Sequence, residues 1–272
     1  MKLLPFIVLI FSFSLPLHAE RLTTRIHSVE RSPDSKRPHI VRFENGRVGF
    51  VSSADKSVLS TLLHSKNEWL DVELDEKSNF LGAGVVPAPK GLTEESLPAQ
   101  KRISYDPSNL SSMDDAEDIF QHMRKVRGDH QCYNRAHVWT YDEFKRSGLK
   151  SMKLFMFFTR AYIWKYHYKW WFHVTPMTYV NNEPITLDHT FMKHAVPVKT
   201  WTDKFIYSKR DCPMITKYSD YSQHQDTEHC YLHPASMYFW QPRDLETYEN
   251  TGYEKTDFIK WEVNWAFRDA GW

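Results

Sequence analysis

Cysteine is scarce in this chain, with three in 272 residues. An odd number cannot pair completely within one molecule, so at least one thiol is left over. Long apolar runs are missing after residue 19, and nothing beyond that point has the length to span a membrane. Charge of one sign is also missing: 35 basic residues face 34 acidic ones, with no basic block and no acidic tail. That balance gives no support to nucleic-acid binding. There is no Gly-rich phosphate loop, no G-x-S-x-G elbow, and no H-E-x-x-H or C-x-x-C spacing. Internal repeats and low-complexity tracts are absent as well. Aromatic residues, in contrast, are abundant at 15%, which favours a well-packed core and aromatic-lined clefts.

Residues 1–19 carry the pattern of a secretory signal peptide: Lys2, an apolar stretch from Leu3 to Leu15, and Leu17-His18-Ala19 ahead of Glu20. The expected destination is the periplasm or the outside of the cell, with no membrane association once the signal is gone. An oxidising compartment suits a disulfide between Cys212 and Cys230, which bound a polar, loop-like segment. Cys132 is then the unpaired thiol, although other pairings or an inert buried thiol remain open at this point.

Residues 20–85 read as a small α+β unit. His39 to Phe43 and Val48 to Val51 form a hairpin around Asn45-Gly46, whose dipeptide suits a type I′ turn. A short helix near residues 53–64 and a strand from Trp69 to Leu74 follow. Residues 86–111 read as a linker: Pro87, Pro89, Pro98 and Pro107 deny helix and ladder hydrogen bonds, and Lys101-Arg102 offers a processing site. An ordinary interdomain loop fits the same composition.

The unit from 112 to 272 opens with a capped helix at Ser112-Met-Asp-Asp. A helix from Cys132 to Gly148 comes next, then strands at Lys153 to Thr159 and Trp170 to Val180, a turn at Asn181-Asn182-Glu183, and a short strand from Pro184 to Asp188. Further strands are expected at Ser236 to Trp240 and, from alternation, at Ile259 to Phe267.

Cys132 follows the polar turn Gly128-Asp129-His130 and begins its helix, where unpaired backbone N–H groups and the dipole favour thiolate. Arg135 and His137 add to an electropositive setting. A cysteine nucleophile needs a base within reach and a third group to orient that base. His173 and Asp188 lie on strands joined by a tight turn, about 5 Å apart in such hairpins, so the two side chains can meet on one face. Metal binding is the rival use of the histidines. The five-residue spacing of His189 and His194 is a weak zinc-like pattern with no cysteines to match it. Trp170 and Trp171 are candidates for cleft walls, with sheet packing expected for at least one.

Cys132-Tyr-Asn-Arg-Ala-His137, Trp170-Trp-Phe-His173-Val and Leu187-Asp188 together resemble the bacterial protein-glutaminases, secreted protein-deamidating enzymes. The resemblance spans roughly residues 112–245. It implies an α+β fold with a papain- or transglutaminase-like core, an antiparallel sheet packed on the nucleophile-bearing helix. It implies hydrolysis of the side-chain amide of protein- or peptide-bound glutamine to glutamate and ammonia, with no metal or cofactor. By position, Cys132 is the nucleophile, His173 the acid/base and Asp188 its orienter. An inhibitory pro-region, as in a zymogen, would correspond to the N-terminal unit. The same triad would serve a cysteine protease or a transglutaminase, and a papain-like binding module with a structural Cys132 is the non-enzymatic alternative.

Overall fold

The computed structural model describes residues 19–89, 105–126, 130–223 and 229–272. The signal-like segment up to residue 18, Lys101-Arg102 and Gly128-Asp129 lie outside the described residues.

The N-terminal part holds two three-stranded antiparallel sheets. One is formed by β1 (Glu20–Thr24), β5 (Trp69–Leu74) and β6 (Phe80–Val86), the other by β2 (Ile26–Arg31), β3 (His39–Phe43) and β4 (Val48–Val51). Helix α1 (Lys56–His64) connects them and buries Leu62. The hairpin β3–β4 departs from a type I′ turn. Only Gly46 has positive φ, at 88°, and Gly46 N–H donates to Phe43 O while Phe43 N–H donates to Arg47 O. This is a three-residue loop closed by a glycine bulge, which positive φ at a single residue satisfies. The I′ pattern occurs instead at Asn181-Asn182, both at positive φ.

Strands β3 and β4 are buried on both faces, because period-2 alternation sends their side chains into two different cores. Val41, Phe43 and Val51 join Leu70, Val72 and Phe80 in the N-terminal core. Ile40, Val48 and Phe50 point the other way, into the large core that contains Cys132 and Trp171. Gly49 sits where a Cβ would come within 2.4 Å of the Phe80 ring, so only glycine fits there.

The large core is built on a six-stranded sheet with the order β11-β10-β9-β8-β12. These strands are β8 (Met152–Phe158), β9 (Phe172–Val180), β10 (Glu183–Thr186), β11 (Val196–Pro197) and β12 (Cys230–Ser236), all antiparallel. The short β7 (Asn109–Leu110) adds in parallel to β9. Strand β8 is almost wholly apolar and buried, and α3 (Cys132–Ser147) packs on its neighbour β9. Helix α2 (Met113–His122) starts where expected, with the Ser112 hydroxyl accepting from Asp115 N–H. Helix α3 ends at Gly148 in the left-handed conformation, with φ 75°. Helices α4 (Arg160–Tyr166), α5 (Val198–Phe205), α6 (Tyr218–Gln223) and α7 (Pro242–Thr251) fill the connections.

Two expected strands are corrected. The strand expected at Ser236 to Trp240 lies earlier, as β12 at Cys230–Ser236, and the chain turns away after Ser236. Ile259 to Phe267 forms α8 (Lys260–Asp269), not a strand. Its buried residues are Glu262, Val263 and Ala266, spaced three and four apart, and they face α3. The alternating aromatics satisfied both periods, and tertiary contact with a helix selected the helical one. Cys212 and Cys230 form the expected disulfide, leaving Cys132 as the free thiol. Among the described residues, no helix is long and apolar enough to cross a membrane.

Candidate active site

Cys132 is the first residue of α3, and its N-cap Gln131 makes no side-chain capping bond. The first-turn N–H groups of α3 therefore receive no bond from the N-cap side chain, and Cys132 sits at the positive end of the helix. The sulfur itself is nearly covered, with Cys132 3% exposed. The second residue of β9 is His173, opposite Met156 on β8. The pairing of β9 with β10 ends at Met177 and Thr186, after which Leu187 N–H holds Pro176 O and the chain swings Asp188 under the imidazole.

His173 Nε2 lies 2.7 Å from Asp188 Oδ2, and Cys132 lines the same cavity as this imidazole and acts on its charge. With Nε2 held by the carboxylate, Nδ1 is the ring nitrogen left for proton transfer. Asp188 is 1% exposed and fully partnered. Its Oδ2 also accepts from Trp201 Nε1 at 2.8 Å, and its Oδ1 accepts from Thr190 N–H at 3.1 Å. Burial opposes its charge, but His173, the indole and Arg135 outweigh it and hold the carboxyl below its ordinary value. For His173, burial again opposes charge. Asp188, by charge and hydrogen bond, and Cys132 overcome it and raise the imidazole to about 9. The structure thus brings all three expected residues together, with the histidine held cationic through neutral pH. Phe191, Trp201 and Phe205 enclose the ring, with centroids 5.1, 5.7 and 4.9 Å away.

Cys132 and His173 open into a cavity of about 210 Å³, completed by Arg135, Phe158, Tyr168, Trp170, Phe191, Lys204 and Phe205. Trp170 is therefore a wall of the cleft. Trp171 is not: fully buried, it donates from Nε1 to Phe43 O at 2.7 Å and stacks on His27 at 4.4 Å. The sequence signals for Trp201, Phe191 and Phe205 are weak, because Phe191 lies in the turn after Asp188 and the other two on the short helix α5, which no strong period announces. Aromatic side chains following the orienting acid were the one clue.

His137 does not add to the positive setting. It is fully buried on the far side of α3, where burial first, then Lys153 and Lys255, push it well below its ordinary value. Its Nδ1 lies 2.6 Å from Lys153 Nζ, which also donates to Phe239 O at 2.7 Å. Beyond it, Lys255 Nζ holds both oxygens of buried Glu262, at 2.6 and 2.8 Å. This chain of polar groups ties α8 to the nucleophile helix. His189 packs against Phe120 and Trp139, and exposed His194 pairs with Glu117 at 3.0 Å. Among the described residues, no cluster of three metal-ligating side chains occurs.

Residues 115–205, the segment holding all three site residues, match the model of a family described as glutaminase. No curated protein sequence matches the chain. Among solved structures, pro- protein-glutaminase aligns with a TM-score of 0.49 at 11% identity, and its A47Q2 mutant with a TM-score of 0.49 at 12%. Each alignment covers 80% of this chain and 83% of the other.

Proposed function

We propose that this chain, which falls in the glutaminase family over the segment carrying its site, is an exported protein-glutamine glutaminase. In this reading it hydrolyses the side-chain amide of glutamine in a protein or peptide through Cys132, His173 and Asp188. The observation that carries the reading is the Cys132–His173–Asp188 array at the floor of an aromatic-walled cavity. A pocket of about 210 Å³ has room for a side-chain carboxamide beside Cys132 and His173.

The chemistry follows from the groups present. The Cys132 thiolate attacks the carboxamide carbon, and the backbone N–H groups at the start of α3 stabilise the oxyanion. His173 gives its proton to the departing nitrogen, which leaves as ammonia, and a thioester remains on Cys132. Neutral His173 then takes a proton from water, the hydroxide attacks the thioester, and glutamate leaves as the thiolate returns. Asp188 stays ionised throughout and holds the ring through Nε2. The bond formed in the first half is broken in the second, so the net change is amide plus water to carboxylic acid plus ammonia.

The test is ammonia release from casein by the full chain, and by the chain cut between residues 90 and 104, each compared with Cys132→Ala. Ammonia from the parent but not from Cys132→Ala is the expected result. New peptide fragments would assign the triad to proteolysis, and incorporation of an added amine would assign it to acyl transfer. A Cys132→Ala variant as active as the parent would remove the cysteine from the mechanism.

A further inference from the structure

Among the described residues, the charged side chains that line the Cys132 cavity are of one sign: Arg135 and Lys204 line it together with His173, and no described carboxylate does. Asp188 is sealed behind His173 and Trp201. Arg135 lies one turn after Cys132 on α3, is 5% exposed, and gives one guanidinium N–H to the His130 carbonyl. Its Nε has no hydrogen-bond partner, although it is fully buried. An unmet donor on a desolvated guanidinium is costly, and a carboxylate is the group that best satisfies it. Lys204 stands exposed on α5 and makes no ion pair among the described residues, since the neighbouring Asp203 is taken by Lys199. The remaining wall is aromatic and uncharged.

We infer that the cavity selects glutamine residues flanked by acidic side chains, with Lys204 reading a carboxylate at the rim and Arg135 one nearer the sulfur. This rests on the glutaminase reading and names the sequence context that reading leaves open. A basic neighbour would be repelled by the same two cations. Acidic and basic contexts should therefore differ by more than either differs from a neutral one.

The experiment uses the full chain, intact and cut between residues 90 and 104, and three short peptides in which one glutamine is flanked by Glu, Ala or Lys, with ammonia release read as kcat/KM. The expected preference for Glu over Lys flanks is about tenfold or more, and it shrinks as salt screens the rim. Lys204→Glu should collapse or invert that ratio, and Lys204→Gln should narrow it. Glu and Lys peptides within about twofold of each other in the parent would overturn the inference. So would an unchanged ratio in Lys204→Glu. Ammonia from the Ala peptide without any charge preference overturns only this inference. If none of the three peptides yields ammonia, the glutaminase reading fails and takes this inference with it.

Discussion

Trp201 Nε1 donates to the same Asp188 oxygen that His173 holds, so one carboxylate oxygen anchors both the base and α5. The indole N–H keeps Asp188 ionised and aimed. Trp201→Phe removes that donor while keeping an aromatic ring against His173 and Phe205. The expected cost is about 1–3 kcal/mol of stability. A fall in kcat accompanied by a downward shift of the alkaline limb should also appear. Urea denaturation and a kcat–pH profile check it, and an unshifted profile would limit the indole to packing.

A second prediction concerns pH. Burial lowers the His173 pKa, but Asp188 and Cys132 outweigh it and raise the group from 6.5 to about 9. The native state thus holds this proton more tightly than the unfolded chain does. The stabilisation is complete below the unfolded pKa and is lost as pH rises through the folded one. At its upper limit it is on the order of 3 kcal/mol. Unfolding free energies of the parent and His173→Gln should differ most on the acid side of this window and converge above it. Activity should fall on the same alkaline limb, and Asp188→Asn should move that limb toward lower pH.

The buried Lys255–Glu262 pair gives a third. Glu262→Ala leaves the buried Lys255 ammonium with Asp244 alone, at 3.4 Å, a loss of roughly 3 kcal/mol. Replacing both partners, as Lys255→Met with Glu262→Leu, should recover much of it, because the buried ammonium leaves together with the carboxylate. A double-mutant cycle by chemical denaturation measures the coupling.

Removal of the disulfide supplies the fourth. Cys212 and Cys230 are separated by 18 residues, and opening such a loop should lower stability by about 3 kcal/mol in the loop-entropy account. Cys212→Ser/Cys230→Ser, compared with the parent by thermal denaturation, checks this. Iodoacetamide labelling of the parent under native conditions should report on Cys132 alone.

Much of the site could be read from local signals. Cys132 after a polar turn, the left-handed stop at Gly148 and the Asn181-Asn182 turn each depend on residues a few positions apart. Those signals fixed the order helix, strand, turn, strand, and hence the meeting of His173 with Asp188. What was not legible depends on distant partners. Trp201 and Phe205 belong to the site only because α5 folds back over β10, which no local period announces. Glu262 illustrates the same limit from the other side. Its charge assigned it to the solvent face of a strand, but Lys255 and α3 make its burial tolerable and so permit a helix. Trp170 and Trp171 are adjacent in sequence and opposite in role, because successive side chains entering a strand face opposite ways.

The β3–β4 hairpin meets the six-stranded sheet through backbone as well as side chains. Trp171 N–H donates to Gly46 O, Val48 N–H donates to Lys169 O, and Ile40, Val48 and Phe50 lie fully buried in the core shared with Cys132. While the chain is intact this contact is unimolecular and indifferent to dilution. A cut between residues 90 and 104 would turn it into a bimolecular equilibrium held by the same hydrogen bonds and apolar surface. Scission and separation are therefore distinct events, and the nicked protein should travel as one particle when concentrated and come apart only on dilution.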